Sequence, residues 1–402
     1  MIVQLIISNI TKGDEFMPIY MNNGATTWPK PERVARAMYD FLAEGGANVA
    51  RGSASERDLD SVSLVLSCRQ KLTDLLGGWG GDPRHTVFTS SVTESLNIVL
   101  KGFLRPGMTV LTSAMEHNAV LRPLRRLEES GVKVEIAPCD GEGFLHPEVF
   151  AGALERSRPD LVVFSHASNV CGTVQDLPTL AALCREFGTP LVADCAQTAG
   201  LVSLDAQGLG LAALCFTGHK GLMGPQGIGG VLFQPSFAER VDWFVEGGTG
   251  SFSHLELQPD AMPDKFEAGT PNLPGIAGLL AALEWLKETD LETVCAREEA
   301  TGAALLEGLL SLPGVVIYGR DRMDGARLPV FAVNFDGQDN GELAGRLFDE
   351  FGVETRPGLH CAPLAHRTLG SYPGGSLRIS PGYFTTETDV ETTLRALRSI
   401  LG

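Results

Sequence analysis

Between Val87 and Phe233 the chain repeats one pattern: a short, unbroken apolar run, then a helical stretch, then another apolar run. The runs "TVFTSS", "TVLTSA", "VKVEIAPCD", "DLVVFSHAS", "PLVADCAQ", "LAALCFTG" and "GIGGVLFQ" have strand length and end in small or polar residues. Between them "TESLNIVLKGFL", "AVLRPLRRLEES" and "LPTLAALCREFG" carry helical patterns that stop at glycine or proline. Continuous apolar strands joined by helices form a mostly parallel sheet covered on both faces. Ligands of such sheets sit beyond the carboxyl ends of the strands. The expected fold class is therefore α/β, and the chemistry is to be sought where each apolar run ends.

After "EAGTPNLPG" the pattern changes to two long helices, "IAGLLAALEWLKE" and "CAREEATGAALLEGLLSL", then "PVFAVNFDG", "NGELAGRLFDEFG", "SLRISPG" and a last helix from about Glu387. At 402 residues the chain is too long for one compact core. The pattern predicts a large domain over 17–288 and a smaller C-terminal α+β domain over 289–402, with a hinge in 285–295 and residues 1–16 as a candidate extension packed on the small domain.

A net charge of −17 argues against broad binding to nucleic acid or an anionic membrane. The N-terminal apolar patch lacks a basic flank and a cleavage site, and no stretch has the length of a membrane span, so a cytoplasmic protein is expected. Eight cysteines form no C-x-x-C pair and show no zinc spacing with histidine, so no metal is expected. Several lie in apolar runs and read as buried free thiols of a reducing cytosol.

The strand ends carry the polar groups. In "FTGHKGLMGPQGIGG", Lys220 follows a strand among small residues, a setting that suits an imine-forming amine and equally a surface lysine in a glycine turn. Asp194 ends the run "LVAD" with Gln197 three residues on; a carboxylate there needs a cation, for which a protonated pyridine nitrogen would serve, or it is a helix cap. Ser90, Ser91 and Thr93 open a helix and form either an anion site or a simple cap. His117 and Asn169 stand at two further strand ends, and Cys361 follows a histidine in "RPGLHCAPLAH". Each signal has a bland alternative; what distinguishes them is that they fall at consecutive strand ends.

Taken together, the stretches "YMNNGATTWPKP", "SVTESLN", "EHNA", "HASNVCGT", "DCAQTAG", "TGHKGLMGPQGIGG", "EAGTPN", "RPGLHCAP" and "SLRIS" resemble, in order and over nearly the whole chain from Tyr20, the fold-type I, class V pyridoxal phosphate enzymes, and within them the cysteine desulfurases and selenocysteine lyases. The resemblance implies a fold-type I transferase with a mostly parallel seven-stranded sheet in the large domain. It implies that Lys220 holds pyridoxal phosphate as a Schiff base, Asp194 pairs with the pyridine nitrogen and His117 stacks on the ring. Gln197 and Asn169 would contact the ring hydroxyl or the region beside it, and Thr93, Thr217 and His219 the phosphate. Val92 stands where many relatives carry a small or hydroxyl residue, which removes one phosphate donor. Thr270 would reach the phosphate of the other subunit and Arg51 in "NVARGS" would line its site, so a homodimer is implied. Arg378 would clamp the substrate carboxylate, with Asn169 and Arg356 beside it, and Cys361 matches the nucleophile.

The implied reaction converts L-cysteine to L-alanine and leaves the sulfur as a persulfide on Cys361, from which a sulfur-acceptor protein would take it. Selenocysteine lyase, aminotransferase, epimerase or C–S lyase activity are alternatives on the same scaffold. A pyridoxal phosphate-binding sulfur-relay scaffold is the non-enzymatic one. A compact, proline-bounded Cys361 loop resembles the subgroup with a sheltered cysteine. His360, Arg356 and His117 are candidates for lowering the thiol's pKa, and His360 reads first as a loop-shaping residue.

Overall fold

The computed structural model describes residues 18–49 and 55–402. After a two-residue strand β1 (Ile19–Tyr20), the chain forms β2 (Thr86–Thr89), β3 (Thr109–Ser113), β4 (Lys133–Ala137), β5 (Leu161–Ser165), β6 (Leu191–Asp194), β7 (Ala213–Thr217) and β8 (Gly229–Phe233). Strands β2 to β8 make one sheet in the order β2-β8-β7-β6-β5-β3-β4. Only β8 runs against its neighbours; the other pairings are parallel. The mostly parallel sheet is the one expected from the apolar runs, and its seven strands are what the resemblance implied.

The runs are continuous because both faces of the sheet are buried. In β5, Val162 and Phe164 join one apolar cluster with Leu72, Leu180 and Ile276, while Leu161 and Val163 join another with Val99, Val120 and Leu124. The first cluster draws on the helices Glu56–Leu76, Leu177–Glu186 and Leu273–Thr289, the second on Val92–Phe103 and Asn118–Glu128. Edge strand β4 departs from this, with Lys133 and Glu135 exposed, and charged side chains on an edge discourage pairing with another chain.

The helix Glu56–Leu76 carries no clean apolar stripe. Its buried face includes Ser61, Arg69 and Thr73 among Val65, Cys68, Leu72 and Leu76. Arg69 is tolerated there because Glu267 takes it in a two-pronged ion pair at 16 % side-chain exposure or less. A buried face filled this way does not show in an apolar pattern.

The helices Leu273–Thr289 and Leu291–Leu310 meet at Asp290, whose φ of 70° turns the chain and whose carboxylate accepts from the Thr293 N–H. Beyond it come β9 (Val315–Tyr318), β10 (Phe331–Phe335), β11 (Val353–Glu354), β12 (Arg356–Gly358) and β13 (Ser376–Ile379). Four of these form an antiparallel sheet, β12-β13-β10-β9. Its core includes Leu305, Leu347, Leu377 and Leu397. Strand β1 pairs in parallel with β11, and Met21 is buried in this same core, so the first described residues pack with the C-terminal sheet. No helix among the described residues is long and apolar enough to cross a membrane.

Candidate active site

The functional residues converge beyond the carboxyl ends of β3, β5, β6 and β7. Asp194 is the last residue of β6 and is 4 % exposed. Its Oδ1 accepts from the Ala196 N–H at 2.9 Å, and its Oδ2 has only a long contact, 3.5 Å, from the Ser165 hydroxyl. Burial pushes its carboxyl pKa up, opposed by that N–H and by the Lys220 ammonium. One coordination direction of a dry carboxylate is thus left for a cation.

Lys220 sits three residues past β7, half-buried. Burial brings its pKa down to about 8; Arg378 and Arg356 push the same way, while Asp194 and Cys361 oppose. Lys220 thus lies within electrostatic reach of all four groups. His117 caps the helix Asn118–Glu128, its Nδ1 accepting from the Ala119 N–H at 3.0 Å. Burial, with Lys220 and Arg356 adding to it, lowers its pKa to about 4, so the ring is neutral and its proton is on Nε2.

A polar cup lies beside the lysine. Thr217 Oγ1 and His219 Nδ1 are buried with no hydrogen-bond partner among the described residues. An unmet buried polar atom costs about 1–3 kcal/mol, which marks the two as receptor groups. The amino end of the helix Val92–Phe103 presses on the same hairpin: a Cβ on Gly229 would meet Ser91 Cα at 3.0 Å, so only glycine fits there. Val92 is half-buried and Thr93 exposed at this end, while Glu94 accepts from the Ser90 N–H and hydroxyl at 2.6 and 2.7 Å. Thr270 is exposed on the loop leading to Asn272, whose amide donates to the Gly227 carbonyl. Arg51 lies outside the described residues.

Two arginines complete the pocket from the small sheet. Arg356 on β12 and Arg378 on β13 are direct cross-strand partners. Like charges opposite one another destabilise a sheet unless an anion lies between them. Among the described residues neither forms an ion pair with a carboxylate. Arg378 is 1 % exposed and donates only to the Asn169 carbonyl (3.0 Å) and Asn22 Oδ1 (2.8 Å), with Nε unpartnered. Its pKa falls to about 9 through burial and the nearby Arg356.

Cys361 is exposed; the other seven cysteines are buried or half-buried, and none is in a disulfide. Its Sγ lies 3.8 Å from Arg356 Nη2. The loop is pinned from the large sheet: the Asn118 N–H donates to the Cys361 carbonyl at 2.8 Å, and Asn169 Nδ2 to the His360 carbonyl at 2.7 Å. Asn169 thus spends its amide on the cysteine loop. His360 and Cys361 both have left-handed φ, 49° and 58°. Non-glycine residues in that region cost on the order of 1–3 kcal/mol each and persist where surroundings hold them.

The holding structure is a chain of buried histidines. His360 Nε2 lies 2.9 Å from the Arg356 carbonyl, His360 Nδ1 3.2 Å from His366 Nε2, and His366 Nδ1 2.7 Å from Ser371 Oγ. The carbonyl can only accept, so His360 carries its proton on Nε2, His366 donates from Nε2, and the Ser371 hydroxyl donates to His366. Burial lowers the two pKa values to about 3 and about 4. With both nitrogens engaged and no charge, His360 shapes the loop.

Two contributors escaped the sequence reading. Lys30, half-buried, donates to the His219 carbonyl at 2.7 Å, and burial lowers its pKa to about 7. Thr26 and Thr27 reach the same carbonyl, so "ATTWPK" props the lysine hairpin from beneath. Glu116 is fully buried beside His117 and bonded to Ser113 and Ser165. Its only sequence signal was a charge at the end of an apolar run, overshadowed by the adjacent histidine. Gln197, 6 % exposed, donates to the Gly24 carbonyl at 3.1 Å.

A site of this construction, on this sheet, defines a class. Residues 19–393 match the family model described as aminotransferase class-V, and the chain belongs to that family. Within it, a probable cysteine desulfurase of Pseudomonas aeruginosa is 35 % identical over 388 residues, covering 94 % of this chain and 92 % of that protein. The apo structure of a cysteine desulfurase from Thermococcus onnurineus superposes with a TM-score of 0.87 at 28 % identity, covering 96 % of this chain and 94 % of the other. The Escherichia coli cysteine desulfurase CsdA gives a TM-score of 0.84 at 28 % identity with the same coverage.

Proposed function

We propose that this chain is a pyridoxal phosphate-dependent cysteine desulfurase that converts L-cysteine to L-alanine and retains the sulfur as a persulfide on Cys361. The carrying observation is the meeting of Asp194, Arg356, Arg378 and the exposed Cys361 around one lysine, Lys220, of lowered basicity.

The residues suit the cofactor. The unpartnered Thr217 Oγ1 and His219 Nδ1, at the amino end of the helix Val92–Phe103, form a cup for a phosphate, and Thr93 adds a hydroxyl at that helix end. The buried Asp194 has a free direction for a ring N–H, and Lys220 lies in the connection between β7 and β8, beside that cup. Gln197 and His117 would bound the ring. Pyridoxal phosphate, when bound, supplies a conjugated ring that takes up the electron pair left at the substrate Cα.

The chain's own groups do the rest. Arg378 and Arg356 hold the substrate carboxylate between their guanidinium groups, which relieves their mutual repulsion. Asp194 keeps a proton at the ring nitrogen. Lys220, with its pKa brought to about 8, has enough neutral amine near pH 8 to take the Cα proton. The Cys361 thiolate, 3.8 Å from the Arg356 guanidinium, attacks the substrate sulfur. The S–S bond forms as the C–S bond breaks, the C–S pair stays with Cβ, Cβ takes up a proton, and Lys220 returns a proton to Cα. Alanine leaves, and the sulfur stays on the enzyme.

This reading includes a homodimer, for which Thr270 is exposed as a residue serving a second copy must be. It includes a sulfur-acceptor protein, to which Cys361 is accessible, and a cytoplasmic setting, consistent with eight free thiols. The test is incubation of the holoprotein with L-cysteine, following alanine by chromatography and Cys361 by mass spectrometry. Wild type should gain one sulfur atom on Cys361. Cys361→Ala should keep the visible absorbance of the bound cofactor and lose sulfur transfer; equal turnover in that variant would refute the nucleophile.

A further inference from the structure

Behind Asp194 lies a second buried carboxylate that the mechanism above does not use. Glu116 is 0 % exposed, in the turn between β3 and the helix Asn118–Glu128. Its Oε1 accepts from the Ser113 hydroxyl at 2.5 Å and from the Ser165 N–H at 3.1 Å; its Oε2 accepts from the Ser165 N–H and the Ser165 hydroxyl, both at 2.9 Å. The Ser165 N–H can only donate and reaches both oxygens, and both hydroxyls are free to donate as well, a set that suits an ionised carboxylate.

Ser165 is the link. It is the residue paired with Asp194 in the parallel β5–β6 register, and its hydroxyl lies 2.9 Å from Glu116 and 3.5 Å from Asp194 Oδ2. One hydroxyl has one proton, and the shorter contact takes it. Asp194 Oδ2 therefore keeps its lone pairs, and a second negative charge stands one residue behind it. Around Glu116 the other ionisable groups are Asp194 on β6 and the Cys139 thiol past β4, with Lys220 acting on Asp194 from the far side. Cys139, pushed up to about 12 by burial, stays neutral. The Glu116 carboxyl itself is raised to about 7, chiefly by burial and further by Asp194, while Ser113 and Ser165 hold it down, so its charge prevails above that pH.

We infer that Glu116 is a positioning residue of this site, an ionised carboxylate that acts through Ser165 to strengthen the hold of Asp194 on the proton of the ring nitrogen it would pair with. The inference rests on the cofactor reading above. Two like charges in a dry site raise the proton affinity of both. Placed behind Asp194, the Glu116 charge keeps the ring nitrogen protonated and thereby the ring electron-accepting.

The experiment titrates the visible absorption band of the holoenzyme with pH in wild type, Glu116→Gln, Glu116→Asp and Ser165→Ala. Removing the negative charge disfavours the protonated cofactor, so Glu116→Gln should move the midpoint to lower pH by about one unit. Its kcat should fall about tenfold at little-changed KM, a tenfold loss being the rate equivalent of such a shift. Glu116→Asp should recover much of both, and Ser165→Ala, which keeps the N–H, should shift the midpoint in the same direction by less. A midpoint unmoved in Glu116→Gln and Ser165→Ala overturns the inference while leaving the activity intact as a reading. If Glu116→Gln fails to fold, Ser165→Ala decides: no shift there overturns it equally. A wild-type protein without a visible band overturns the cofactor reading and this inference together.

Discussion

The end of β7 and the loop that carries Cys361 face the same space in opposite states of hydrogen bonding. At β7, Thr217 Oγ1 and His219 Nδ1 are buried and unmatched. Around Cys361 the polar groups close on one another, from Ser371 through His366 and His360 to the Arg356 carbonyl. Unmatched groups on a rigid sheet form a receptor, which is stable when something fills it. A closed chain on two left-handed residues forms a mount, which keeps a strained backbone in place and presents one sulfur atom. The two arginines stand between, held by the sheet yet without a carboxylate partner among the described residues.

The comparison can be broken in order of effect. Lys220→Ala removes the base from the receptor side and should lower alanine formation by roughly 10⁴-fold, measured in single-turnover assays. Arg378→Lys keeps the charge and loses the planar fork. A charge-assisted hydrogen bond is worth about 1.5–3 kcal/mol. Initial-rate kinetics should therefore show KM for L-cysteine raised on the order of 10- to 100-fold, with kcat changed far less; a kcat loss at constant KM would mean the guanidinium acts on the reacting atoms instead.

The smallest effect concerns the mount. His366→Leu leaves His360 Nδ1 unmatched and Ser371 Oγ with only its long contact to the backbone carbonyl of residue 366, and should cost about 2 kcal/mol of stability at pH 7. Burial lowers the folded pKa values of His360 and His366 to about 3 and about 4, below the unfolded value of 6.5. Stability from keeping them neutral is complete above about 6.5 and is lost as pH falls through 6.5 toward the folded values, because the unfolded chain takes up protons first. Each such histidine contributes up to about 1.4 kcal/mol per pH unit in that window. Denaturant melts at pH 7 and pH 5 should show a smaller acid loss in His366→Leu than in wild type. An equal loss would place the acid sensitivity elsewhere.

Much of the large sheet was legible because its strands are buried on both faces, which writes them as unbroken apolar runs. The helix Glu56–Leu76 was not, since Arg69 and Thr73 occupy its inner face and are satisfied by Glu267 and Thr86, far away in the chain or around a turn. Strand β9 was equally silent, a partly exposed edge with no clear alternation. Of the site, Lys220, Asp194, His117 and Cys361 could be read from their positions at strand ends and in motifs. Lys30 and Glu116 could not, because their partners are the His219 carbonyl and the Ser165 hydroxyl, contacts between separated segments.

The sequence by itself determined the class of fold and the set of strand ends that carry polar groups, and its motifs singled out Cys361 by their resemblance to a known family. Local pattern suffices for those, since burial and helix stops act over a few residues. Only the tertiary structure decided that Arg356 lies directly opposite Arg378, that His360 is tied into a neutral chain and held away from base catalysis, and that a second carboxylate stands behind Asp194. Register across a sheet and the direction of a hydrogen bond depend on which distant segments meet, and nothing in a one-dimensional pattern encodes that meeting.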